Sequence, residues 1–190
     1  SLLVCLGCEA ALRRPRPSVV TLGLSAAGLA WLRPELAPVV LVLLAIASGR
    51  GGTRRAWPAW SLAALGAGSV CGLRLWLHGG ILPLAWHAKA GSLIDGLGYS
   101  ARAVPMMSGV LGLVLAAAGA RLGGRRERWR AAILLVHVLS VTLAGGDWMP
   151  GFRLFVPLFP QYALLAGVGA ERLLARRAAA PRLLAVASLS

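Results

Sequence analysis

The sequence predicts an all-α fold, a polytopic bundle of transmembrane helices, and three observations carry that expectation. Of 190 residues, 58% are apolar, yet 20 basic side chains against 6 acidic ones give a net charge of +14. Mean hydropathy is +0.74. Soluble domains are about 45–50% apolar, and a nucleic-acid binder with this much positive charge is far less hydrophobic. Disorder needs low hydrophobicity beside high charge, so the same arithmetic excludes it. Thirdly, apolar stretches alternate with short charged ones, and none shows the roughly ten-residue alternation of a barrel strand. Helices remain, because backbone polar groups in lipid must be satisfied within the segment.

In chain order, the first apolar stretch at about 1–12 reads as a truncated span, so the chain is expected to be a fragment of something longer. Complete spans are expected over 18–32, 36–49, 57–77, 104–120, 131–144 and 152–170, with another beginning near 183. Several fall below the roughly 20 residues that cross a bilayer, which requires tilt, thinning or helical extension into the loops. Pro157 and Pro160 are expected to bend or break the last complete span. The whole chain, 1–190, reads as one transmembrane domain with external loops at 78–103 and 145–153. Cys5, Cys8 and Cys71 lie in apolar stretches and read as small hydrophobes in helix packing; the C-x-x-C spacing of Cys5 and Cys8 lacks a second pair. The absence of Asn and the use of Arg for all but one basic residue suggest a GC-rich coding genome, hence a bacterium.

Charge placement tests this segmentation, because short cytoplasmic loops accumulate Lys and Arg. Alternate loops hold Arg13, Arg14 and Arg16, then Arg50, Arg54 and Arg55, then Arg121, Arg125, Arg126, Arg128 and Arg130, then Arg172, Arg176, Arg177 and Arg182. The intervening loops hold only Arg33, Lys89, Arg102 and Arg153, and Arg74 lies within a span. The parity orients the chain in a bacterial inner membrane with the sparse set outside. The scarce acids Glu35, Asp95 and Asp147 fall on that outer face, with His78, His87, Lys89 and Trp148. Polar residues at or near membrane depth are costly and raise the expectation of function.

Three places there suit chemistry. Asp147 follows two glycines and precedes Pro150, which marks a turn presenting side chains. An Asp so placed suits a catalytic base, a sugar-hydroxyl contact or an ion pair with Arg153; Trp148 suits stacking on a sugar face or an interfacial anchor. Arg33, Pro34 and Glu35 form a tight turn in which a guanidinium can hold a phosphate bidentately, or merely pair with Glu35 to cap a helical hairpin. Trp86, His87 and Lys89 cluster after Pro83, as in a short interfacial helix; His87 and Lys89 suit neutralising a phosphate or a solvated pair. Arg74 and His78 share one face near a helix end, and His137 reads as a packed, hydrogen-bonded histidine. No P-loop, dinucleotide fingerprint, H-E-x-x-H or G-x-S-x-G motif occurs. No cofactor is predicted, and a divalent-metal requirement stays open.

The order of these motifs resembles the multi-spanning GT-C glycosyltransferases, in particular bacterial members related to mycobacterial cell-wall arabinofuranosyltransferases. It is carried by R-P-E at 33–35, H-G-G with I-L-P at 78–83, W-H-A-K-A-G at 86–91, G-L-G-Y at 96–99, G-G-D-W-M-P-G-F-R at 145–153 and V-P-L-F-P at 156–160. Leu32 and Leu36 stand where the family pattern often has Thr and Gly. The resemblance implies transfer of a sugar from a polyprenyl-phosphate donor to a cell-envelope glycan, lipid or protein acceptor on the extracytoplasmic face, with membrane lipids and no nucleic acid as partners. It implies Arg33, Lys89 and Arg153 as holders of the donor phosphate. Asp147, the candidate catalytic carboxylate, joins Glu35, His87 and Trp148 as a sugar contact. In such enzymes the general base is typically an acid in the first external loop, so the resemblance implies that this chain lacks it. The alternative is a transporter or lipid-linked sugar flippase, which also lines a cavity with charged groups but commonly shows paired repeats. No convincing repeat relates the halves.

Overall fold

The computed structural model describes residues 2–12, 18–33, 36–80, 92–146 and 152–187. Among the described residues all regular structure is helical: α1 (Leu2–Leu12), α2 (Val19–Leu32), α3 (Ala37–Gly51), α4 (Thr53–His78), α5 (Leu93–Leu122), α6 (Arg125–Leu143), a 3-10 turn (Val156–Leu158) and α7 (Phe159–Ala187). The all-α expectation is borne out. The count of six complete spans is not: α4, of 26 residues, and α5, of 30, are long and apolar enough to cross a bilayer. At about 1.5 Å per residue, α1, α2 and α3 fall short of a hydrocarbon core about 30 Å thick, with 11, 14 and 15 residues.

Helix ends follow local chemistry. Gly52 and Gly79 stop α3 and α4 with φ of 83° and 67°, where a side chain would be strained. Helix α5 begins at Leu93, well inside the stretch to 103 expected as loop, because Ser92 and Asp95 form a reciprocal capping box. The Asp95 amide donates to Ser92 Oγ at 3.2 Å and the Ser92 amide to Asp95 Oδ2 at 2.9 Å. Asp95, read from sequence as part of the outer acidic set, thus starts a helix. Within α5, Gly109 (φ 64°, ψ 161°) interrupts the helical path one turn after Pro105, whose ring removes an amide and crowds the preceding turn. The prolines near 157 start a helix rather than break one: Pro157 lies in the 3-10 turn and Pro160 in the first turn of α7. Helix α7 then runs unbroken past the basic residues to Ala187, so no separate span begins near 183.

Small residues set the packing. Gly23 faces Ala59 and Leu62, and Gly66 faces Ala27, so α2 and α4 run in the same sense in close contact. Trp31 Nε1 donates to Ser69 Oγ (3.0 Å) further along the same pair, and Trp60 Nε1 ties α4 to Ser48 of α3 (3.0 Å). Likewise Tyr162 reaches Gly112 and Gly169 meets Gly119, so α5 and α7 also run in one sense. These senses are those that strictly alternating loops require.

The buried core of Val4, Cys8, Leu12, Leu22, Leu43 and Leu44 draws chiefly on α1 to α3 and includes Ile133 of α6. A polar clasp joins α1 to α6 and α7. Glu9 pairs with Arg126 and, at 2.6 Å, with Arg130; Arg130 Nε donates to Gln161 Oε1 at 3.1 Å, and Glu127 lies 3.6 Å from its guanidinium. Arg130 is buried, so its charge depends on these partners. The clasp sets Arg126 beside α1, Arg50 Nη1 reaches Ala11 O at 3.5 Å, and α7 passes Gly119 at Gly169. Arg50 of α3, Arg121 of α5, the arginines at the start of α6 and Arg172 and Arg176 of α7 therefore gather at the end of the bundle where α1 stops at Leu12.

Candidate functional site

At the opposite end, α6 terminates in the double glycine that the sequence marks as a turn. Ala144 donates to Ser140 O at 3.0 Å, Gly145 to Thr142 O at 3.1 Å and Gly146 to Val141 O at 3.0 Å. Gly145 and Gly146 adopt φ of 80° and 75°. Gly146 leaves no room for a side chain, since a Cβ there would lie 2.6 Å from Tyr99 Cβ and 2.8 Å from its Cγ. One turn earlier on α5, Gly96 abuts the Thr142 carbonyl, and Ser100 Oγ is 2.8 Å from Thr142 Oγ1. The start of α5 is thereby pressed onto the end of α6.

Phe152, a non-glycine residue at φ 50°, packs on the same anchor. The rings of Phe152 and Phe155 lie 5.3 and 5.8 Å from Tyr99, tilted and stacked respectively, and the Phe155 amide donates to Phe152 O at 2.9 Å. His137 is buried as expected; its Nε2 donates to Leu154 O at 2.8 Å, and its ring meets Phe155 edge-on at 5.7 Å. Tyr99 thus holds both ends of the segment that contains Asp147 and Trp148.

Phe155 also forms a wall of a cavity of about 430 Å³ between α5, α6 and α7. Its lining is apolar, with Met107, Leu134 and Leu158 prominent, and Ser108, His137 and Tyr162 supply its polar groups. Such a space accepts a hydrocarbon chain or another apolar body of similar girth.

Of the residues expected to bind or react, Glu35, His87, Lys89, Asp147 and Trp148 lie outside the described residues. Arg33 ends α2; its amide donates to Leu29 O at 2.7 Å and its carbonyl accepts from Leu36 N at 2.9 Å. It borders an apolar groove of about 290 Å³ between α2, α3 and α4, with Leu29, Val40, Leu44 and Trp60. Arg153 is exposed and follows the Phe152 anchor. Sequence reading missed Tyr99, Phe152 and Phe155 as anchors. Their signal was available, since all three phenylalanines of the chain fall between 152 and 159. Among the described residues no three His, Cys, Asp or Glu side chains gather at metal-binding distance.

Among the described residues, fold and site together define an all-helical architecture with two helices long and apolar enough to cross a membrane and a glycine turn anchored on Tyr99 beside an apolar cavity. No protein-family model, no curated protein and no solved structure matches the chain.

Proposed function

We propose that this chain is part of a bacterial inner-membrane glycosyltransferase of the GT-C type, multi-pass, taking a sugar from a polyprenyl-phosphate donor on the extracytoplasmic face. The observation that carries the reading is the Tyr99 anchor beside the apolar cavity: it holds Gly146 and Phe152, which flank Asp147 and Trp148 in sequence, and Phe155 of the same anchor lines a space of a size for an isoprenoid chain. In the reaction an acceptor hydroxyl oxygen attacks the anomeric carbon, the bond from that carbon to the phosphate oxygen breaks, and the hydroxyl proton passes to a carboxylate. Charge builds on the leaving phosphate, which Arg33, Lys89 and Arg153 would stabilise; fixed cations in a poorly hydrated site do this at little reorganisation cost. Asp147, Glu35, His87 and Trp148 would contact the sugars, and the acceptor is a cell-envelope glycan, lipid or protein. The test is Asp147→Ala and Arg153→Ala in the full-length protein, which should abolish sugar transfer while leaving membrane insertion intact. Normal turnover in both variants would sink the site assignment.

The break at Gly109 in an otherwise apolar helix favours a second reading, a transporter or lipid-linked sugar flippase, since interrupted helices recur where transporters bind substrate. Movement of a lipid-linked sugar across sealed vesicles without a new glycosidic bond would establish it.

A further inference from the structure

The apolar cavity between α5, α6 and α7 does not close on itself. Among its lining residues Ala117 of α5, Leu135 of α6 and Phe159 of α7 are exposed, so it is a groove open along one side, with Tyr162 and Leu165 of α7 in its floor. It extends along α5 from Met107 to Ala120, about 20 Å at a rise of about 1.5 Å per residue. One end lies beside Phe155 and the Tyr99 anchor. The other, walled by Ala116, Ala120 and Ala131, reaches the arginine-rich end of the bundle.

There the edges of the groove carry cations. Arg121 follows Ala117 by four residues on α5, and Arg128 precedes Ala131 by three and Leu135 by seven on α6, so each lies on the face that forms an open edge. A short link through Gly123 and Gly124 joins the two helices and sets the turns that bear these arginines side by side. Both side chains are exposed, and neither forms an ion pair or hydrogen bond among the described residues. Glu127, the carboxylate beside Arg128 in sequence, lies 3.6 Å from Arg130 instead. The positive charge at this mouth is therefore uncompensated. Along the groove the polar groups are spent on backbone: Ser108 Oγ donates to Val104 O, Tyr162 Oη to Ser108 O at 3.5 Å and His137 Nε2 to Leu154 O at 2.8 Å. Hydrocarbon suits the groove and anionic oxygens suit its mouth. An amphiphile satisfies both, whereas free phosphate satisfies only one.

We infer that the hairpin of α5 and α6 binds an anionic phospholipid such as phosphatidylglycerol from the leaflet at its basic end, the phosphate between Arg121 and Arg128 and one acyl chain along Ala117, Ala120 and Leu135. Basic pockets between membrane helices hold anionic headgroups on the same physical grounds. The chains of one leaflet occupy about half of a hydrocarbon core about 30 Å thick, so a chain rooted at these arginines fills the alanine-lined part and leaves the Phe155 end to the donor chain. The site presupposes that the chain lies in a membrane and is independent of sugar transfer.

Native mass spectrometry of the 190-residue chain in neutral detergent counts bound lipid, in separate arms with dioleoyl phosphatidylglycerol, dioleoyl phosphatidylcholine and inorganic phosphate. Phosphatidylglycerol should reach half occupancy at about a tenth of the phosphatidylcholine concentration, and phosphate should not displace it. The double variant Arg121→Gln/Arg128→Gln and the single variant Ala117→Trp should each need about tenfold more phosphatidylglycerol. The tryptophan blocks the exposed edge of the groove without altering a charge, so it tests the site separately from the arginines. Arg54→Gln/Arg55→Gln removes the same charge from the exposed start of α4, at the same end of the bundle, and should bind as the parent chain does. Equal binding of the two lipids, displacement by phosphate, an unchanged response in either groove variant, or an equal loss in the α4 variant would each overturn the site. Carbonate extraction from vesicles is read independently. Release of the chain would remove the membrane reading and the site with it, whereas an inserted chain that fails the lipid arms loses the site alone.

Discussion

Gly146 shows how one residue governs the candidate site. Its φ of 75° suits glycine, and its Cα lies against the Tyr99 side chain. Gly146→Ala combines backbone strain with a ring clash, together on the order of 1–3 kcal/mol. On the proposed glycosyltransferase reading, sugar transfer by the full-length protein should fall about tenfold or more while the protein still inserts; an unaffected rate would separate the segment's position from activity. Ser92 plays a simpler part. With Ser92→Ala the start of α5 loses the hydroxyl that accepts from the Asp95 amide, while the amide at 92 still donates to Asp95, and unfolding in detergent should show a loss of about 1 kcal/mol. Glu9→Gln removes the charge that two arginines share. Breaking a fully buried pair costs about 3–5 kcal/mol, but Glu9 is 43% exposed, so about 2 kcal/mol is expected in the same measurement. A change near zero would mean that Glu127 and Gln161 suffice to hold Arg130.

At the level of elements, glycine marks where helices touch and where they do not. Gly119 faces the Leu165 carbonyl and Gly169 the Leu115 carbonyl, so the backbones of α5 and α7 meet with no space for a methyl group. Gly68 and Gly72 on α4 face open space. Gly119→Ala and Gly169→Ala should each destabilise by about 1–3 kcal/mol through overpacking. By contrast Gly68→Ala and Gly72→Ala should be neutral or stabilising by up to about 1 kcal/mol, since alanine favours the helix. A chemical-unfolding comparison of the four variants decides it, and equal effects at all four positions would refute this packing. The element boundaries were unevenly legible from sequence. Apolar run lengths give α1, α2 and α3 to within a residue or two, because Pro, Gly and Arg bracket them closely. Helix α5 was cut short because its first turns carry Asp95 and Arg102, and hydropathy does not see a capping box. Helix α7 was placed too early because Phe152 to Val156 is apolar yet folds as turns that follow Tyr99 and His137.

The molecule as a whole makes a prediction about sidedness. The arginine-rich ends gather at one end of the bundle and the Gly145–Gly146 turn at the other, with the basic end expected inside. With Cys5, Cys8 and Cys71 replaced, a cysteine at Gly124 should react with an impermeant maleimide only after the membrane is opened. One at Gly80 should react in intact cells. Identical labelling at both positions would overturn the topology. The site was less legible than the fold. The glycine turn and the buried, hydrogen-bonded His137 follow from residue type, whereas the anchoring of that turn on Tyr99 depends on contacts across more than forty residues of sequence. Of the phosphate-holding arginines, Arg33 ends α2 and Arg153 directly follows the Phe152 anchor.

By itself the sequence determined the helical class, the alternation of basic and neutral turns, and the glycine break after α6, since these follow from hydropathy, charge and local backbone freedom. Tertiary structure alone decided that α2 runs with α4 and α5 with α7, that Glu9 clasps Arg126 and Arg130, and that Tyr99 gathers Gly146, Phe152 and Phe155. The physical reason is range. Hydropathy, capping and turn preferences act within a few residues, whereas close glycine approaches, buried ion pairs and ring contacts join groups that become neighbours only when the helices pack.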